Sequence, residues 1–204
     1  MPTMTFTEAL SEQRWDDHRY YHHSRINQAL HLLSAISFLS AYVLLFVEPA
    51  AAVLLAWLVA MPSRQIGHFF FEPKGYDAAN DASHDYKEQV KVGYNLRRKV
   101  VLMSVWGLSP LLFILSPTLF GIARPPQDTI AFLDRIAFLW FAIGVSAVVI
   151  RTVQLFYLRG VQAGLVWFIK ILTDPIHDVK LYYKSPAYLL RGEWFDPIVR
   201  GEPT

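Results

Sequence analysis

The chain has 204 residues, of which 53% are hydrophobic and 18% charged, with a mean hydropathy of +0.27 and a formal net charge of +2. Such an oily, charge-poor balance excludes a disordered chain and gives no basic excess for nucleic-acid binding. There is no cysteine, so disulfides, iron–sulfur clusters and thiolate nucleophiles are excluded too.

Residues 1–28 are polar and contain no apolar run of signal-peptide type, so the first span is expected to act as the targeting signal. Leu30 to Val47 is uncharged apart from His31, and at 1.5 Å per residue it covers roughly 27 Å, close to a bilayer core. Glu48-Pro49 reads as a turn. The apolar run from Ala50 to Met61 is too short alone and must continue to Phe71, taking Arg64, Gln65 and His68 into its last turns. Val100 to Ile122 is a third predicted span, kinked at Pro110 and Pro117, and Ala131 to Ile150 a fourth. From Val153 to Leu172, Arg159, Gln162, Lys170 and Thr173 fall on one arc with Arg151. That one-sided polarity predicts an interfacial amphipathic helix, followed by an aromatic tail at the membrane surface. The predicted class is therefore an all-α integral-membrane bundle in one domain over 1–204. It comprises an arm (1–28), a four-span core (29–150) and an interfacial region (151–204).

Charge placement agrees with four spans. Seventeen of the nineteen Lys and Arg residues fall on one face, leaving Arg135 within a span and Arg124 opposite. The positive-inside rule then puts both termini in the cytoplasm, in either a bacterial inner membrane or the endoplasmic reticulum.

The histidines gather on that same side. His23, Asn27 and His31 recur at i, i+4 and i+8, as do Gln65, His68 and Glu72 at near-helical spacing. In a hairpin folded about Glu48-Pro49, position 31 lies level with about 66, so both polar faces reach one depth. Two or three histidines and a carboxylate would converge there. Imidazole binds Fe, Zn, Cu or Ni, and a facial pair of histidines with a carboxylate suits Fe(II). Asn27 and Gln65 are placed to orient the imidazoles from behind. Gly67 permits close helix approach. The sequence HRYYHH, with His18, His22 and His23, matches one histidine box of membrane di-iron desaturases, which use about eight histidines where this chain has seven. His84 is a further ligand option on the loop, and His177 reads as structural.

The motifs H-x3-N-x3-H (His23, Asn27, His31) and Q-x-G-H-x3-E (Gln65, Gly67, His68, Glu72) resemble the small integral-membrane 2-hydroxy-fatty-acid dioxygenases, long catalogued as a domain of unknown function. The resemblance covers about residues 15 to 120. It implies an Fe(II)-dependent enzyme of fatty-acid α-oxidation, which uses O2 to shorten a 2-hydroxy fatty acid by one carbon, and Arg64 or Lys74 would then attract the carboxylate of that acid. The family's histidines fall on His23, His31 and His68, with Glu72 as fourth ligand or base; zinc suits the same donors. Leu33-Ser34-Ala35 replaces the glycine and proline often found after the second histidine, and the charged 73–99 loop is longer than in the family pattern. The expected partner is a membrane lipid or fatty acid, and a homo-oligomer stays open. Two rivals are a lipid hydroxylase or desaturase using the same iron, and a non-enzymatic scaffold whose histidines only join helices.

Overall fold

A computed structural model describes residues 4–122 and 124–197. The chain begins with α1 (Phe6–Tyr21), which starts on a reciprocal cap: Thr5 accepts from the Glu8 amide while Glu8 accepts from the Thr5 amide. The helix stops at His22, and α2 (Arg25–Leu44) restarts after Ser24, whose extended backbone serves as its N-cap. After the turn at residues 45–47, proline at the first helical position opens α3 (Pro49–Phe71). This helix is regular except for two wide π-type stretches, Ala56–Ala60 and Gly67–Phe71. Such wide turns are rare and concentrate at functional sites; the second carries His68.

A loop containing α4 (His84–Val90) leads to α5 (Leu96–Leu115), capped by Asn95 and bent at Ser109-Pro110. It ends before Pro117, short of the predicted Ile122, because Leu119, Phe120 and Gly121 take left-handed backbone conformations that close a tight turn. Next comes α6 (Thr129–Arg159), which outruns its predicted end by nine residues. The break lies at Gly160, with φ of 89°, and α7 (Val161–Tyr182) follows at once. The 153–172 segment is thus the end of one helix and the start of the next, because only glycine accepts that backbone angle without strain. A short α8 (Ser185–Leu190) completes the helices.

Among the described residues there is no strand, and the architecture is an all-α membrane bundle. Four helices are long and apolar enough to cross a membrane: α2, α3, α5 and α6. Their outward faces carry exposed Val43, Leu58, Val101, Ile114, Phe138 and Val149. Only 11% of the apolar stretch of α5 is buried, which is the surface expected of a helix solvated by lipid. At one end of the bundle Val53, Trp57, Phe113, Ile136, Ala137 and Trp140 form an apolar core, with Trp57 stacked on Trp106 at 5.6 Å. The polar buried residues collect at the other end.

There α7 packs against α1, α2 and α6. Tyr42 of α2 donates to the Leu172 carbonyl, while Asp178 and Ser185 reach His31 and Gln28, so α7 runs opposite to α2. Its polar side does not face water. Lys170, Asp174 and Asp178 are buried beneath α1, α2 and α3, and its exposed side carries Leu165, Leu172 and Ile176. The C-terminal segment closes this end through an antiparallel bridge between Phe195 and Ser24, tying it to the α1–α2 link.

Candidate metal centre

Three histidines from three elements meet where α1, α2, α3 and α7 converge. His22 lies in the break after α1, His31 in the second turn of α2, and His68 in the wide turn of α3. Their ring centroids are 4.0 Å apart for His22–His31, 4.9 Å for His31–His68 and 5.5 Å for His22–His68. One nitrogen from each lies within 4.8 Å of the others, and all three residues are buried. Such a group can hold a metal ion.

Backbone packing makes this approach workable. A side chain at Gly67 would collide with Asn27 Oδ1 and press the His31 ring at 3.4 Å, so glycine is what lets α3 settle against α2. Asn27 donates to the Tyr21 carbonyl and Gln28 to the His22 carbonyl, each at 2.8 Å. These bonds fold the end of α1 back over α2 and aim His22 inward.

The outer contacts of the three rings share one pattern. His68 Nδ1 donates to Glu72 Oε2 at 2.7 Å, and His22 Nδ1 lies 2.9 Å from the Tyr182 hydroxyl. His31 Nδ1 faces Asp178 Oδ2 at 3.6 Å. The Nδ1 atoms of His68 and His22 are therefore backed by hydrogen-bond partners, which leaves their Nε2 atoms for the centre, while the ring of His31 only faces a carboxylate. His22 Nε2 and both nitrogens of His31 have no hydrogen-bond partner although buried. Buried orphan nitrogens cost free energy unless something binds them. Imidazoles held from behind and open in front are the form in which histidine ligates a metal.

Electrostatics keep the donors ready. Burial, reinforced by His31 and Arg64, holds His22 well below its ordinary pKa and hence neutral. Burial, followed by the Asp178 charge, pushes the Tyr182 hydroxyl well above its ordinary value, so it stays protonated. It can accept from His22 Nδ1–H while donating to His18 Nδ1, 3.3 Å away. Burial alone would raise Asp178, but the Arg64 guanidinium and the His31 contact outweigh it and hold the carboxyl down at about 2.

The expected site residues divide between the group and its surroundings. His31 and His68 belong to it. His23 does not: its Nε2 turns to the Arg19 carbonyl and lies 3.6 Å from Asp77. The expectation assumed a helix running through residue 23, whereas α2 begins at Arg25, so residue 23 shares no face with Asn27 and His31. Glu72 stands behind His68 and also contacts Lys91 at 3.4 Å, which makes it a positioning carboxylate. Arg64 is engaged by Asp178 at 2.9 Å and by Asp174, so it is not a free anchor for a carboxylate. Lys74 is exposed and does not line the cavity beside His68. Gln65 is buried with an unpartnered Oε1. His84 and His177 lie outside the group.

The sequence reading placed His23 rather than His22 in the group, and it did not single out Asp178 or Tyr182. A signal existed for the latter two: Lys170, Asp174, Asp178 and Tyr182 recur every four residues, a polar stripe on one face of α7.

Beside His68 opens a cavity of about 650 Å3 running between α2, α3, α6 and α7. Phe38, Val53, Trp57, Phe141 and Val148 line its apolar length, and Arg64, Lys91, Lys99 and Lys170 mark its polar end. Its size is that of a small-molecule site. No family model, curated protein or solved structure matches the chain.

Proposed function

We propose that this protein is an Fe(II)- and O2-dependent dioxygenase of the membrane that shortens 2-hydroxy fatty acids by one carbon. The observation that carries the reading is the juxtaposition of three buried, converging histidines with a long apolar cavity. His22, His31 and His68 would hold the metal, leaving the rest of its coordination sphere to non-protein ligands. Iron(II), when bound, supplies the one-electron chemistry that O2 requires and a Lewis-acidic position for the vicinal hydroxyl and carboxylate of a 2-hydroxy acid. Overall, a 2-hydroxy acid and O2 give the shortened acid, carbon dioxide and water; the acid loses four electrons and O2 gains them.

The chain's own residues do the rest. Glu72 and Tyr182 fix the tautomers of His68 and His22, and the Asp178 carboxylate faces His31 Nδ1 at 3.6 Å. The apolar walls take up the acyl chain and exclude water from the reacting end. On this reading the polar end of the bundle and both termini face the cytoplasm, and the substrate enters from the membrane.

Aerobic incubation of the purified protein with a 2-hydroxy fatty acid, with and without Fe(II), tests the reading. The expected result is metal-dependent appearance of the acid one carbon shorter. Bound metal with no such product under any condition would overturn it. A hydroxylated or unsaturated product would point instead to a different oxidation at the same centre.

A further inference from the structure

Four cations line the cavity, and three are already neutralised. Arg64 is held by Asp178 and Asp174, and Lys170 by Asp17 at 2.5 Å and Asp174 at 2.6 Å. Lys91 contacts Glu72 at 3.4 Å and Glu88 at 3.5 Å while lying over the Tyr21 ring. The fourth, Lys99, sits one turn into α5, a helix apolar enough to cross the membrane. It lines the same cavity as His68 and makes no hydrogen bond or ion pair among the described residues. The carboxylates of Glu72 and Asp17 act on it only at longer range, and an ammonium at the edge of a membrane span with no direct ion pair is costly unless a ligand supplies the negative charge.

We infer that Lys99 is the anion anchor of the cavity, binding the carboxylate of a single-chain fatty acid whose tail lies along the apolar walls. This deepens the dioxygenase reading and rests on its assignment of the cavity as the substrate site. It replaces Arg64 and Lys74 as the head-group cations: the first is occupied and the second lies outside the cavity. With the ammonium fixing the carboxylate near His68, a hydroxyl on the neighbouring carbon is held at the metal end. Lys99 is thus a specificity residue for acids over uncharged lipids.

The test compares equilibrium binding of 2-hydroxyhexadecanoic acid with that of its uncharged amide, to the full chain in one detergent. It needs neither turnover nor bound metal, so it answers for Lys99 even if the dioxygenase reading fails. The wild type is expected to prefer the acid. A charge-assisted hydrogen bond gives about a ten- to hundredfold preference. Lys99→Met should abolish that preference while leaving amide binding unchanged, and Lys99→Arg should retain it. Three results would overturn the assignment: no preference in the wild type, an undiminished preference in Lys99→Met, or equal loss of acid and amide binding in that variant, which would mark a purely structural lysine.

Discussion

At the scale of single residues, the centre depends on what stands behind each imidazole. Tyr182 is the informative case. Its hydroxyl bridges His22 Nδ1 and His18 Nδ1, and His18 Nε2 faces Asp196 at 3.9 Å. The phenol therefore links His22 to the C-terminal segment and selects the tautomer that leaves Nε2 open. Tyr182→Phe keeps the ring packing and removes only the bridge. Losing such an outer-sphere partner typically weakens metal binding about 10- to 100-fold, and this drop is expected in a metal titration of the purified variant. His22→Ala should reduce metal content to background, whereas His23→Ala should leave it intact; the reverse pattern would restore residue 23 as the ligand. Adjacent histidines cannot be separated by spacing alone. The choice depends on where α1 ends, and that is set by Asn27 and Gln28 bonding back to residues 21 and 22, long-range information absent from a helical repeat. The meeting of His31 and His68, by contrast, follows from counting back along the hairpin from Glu48-Pro49.

At the scale of elements, α7 holds the site closed with a buried polar stripe. Lys170 lies between Asp17 of α1 and Asp174 of its own helix and is only 6% exposed. Removing one partner of a buried charge cluster leaves the others uncompensated, at a typical loss of about 3 kcal/mol or more. Lys170→Met is expected to lower stability by that amount and to loosen α1, as read by thermal unfolding and limited proteolysis. The pH dependence of this difference has a definite form. Burial raises Asp17, but Lys170 outweighs it and holds the carboxyl below 3.8; its contribution is present above 3.8 and is lost as pH falls below it. Burial lowers Lys170, but Asp17 and Asp174 outweigh that and hold it above 10.5; its contribution is present below 10.5 and is lost as pH rises further. The stability gap between wild type and variant should therefore stay constant between these limits and shrink outside them. A gap that varied steadily across neutral pH would mean that another group carries the effect. The sequence does contain the polar arc of α7. Which surface covers it was not legible, because the same arc suits water or a second polar helix, and only the packed position of α1 decides between them.

At the scale of the whole molecule, the histidine group ties early and late parts of the chain to its middle. His22 follows the N-terminal helix, His31 and His68 belong to the first two spans, and Tyr182 and Asp178 come from α7, near the C-terminus. The end of the bundle opposite the tryptophan core buries orphan imidazole nitrogens, so a metal bound there would add to its stability. A ligand that binds only the folded state stabilises it by about 2.7 kcal/mol at a hundred times its dissociation constant. For a chain of this size that corresponds to a rise in unfolding temperature of roughly 5–10 °C. Adding Fe(II) to chelator-treated protein under anaerobic conditions should produce such a rise, with the larger protection from proteolysis at α1 and α7 rather than at α5. The shift should vanish in His22→Ala and persist in His84→Ala, since residue 84 lies outside the group. An equal shift in both variants would place the stabilising metal elsewhere. No shift in the wild type would mean that the three imidazoles only join helices, as in the scaffold rival.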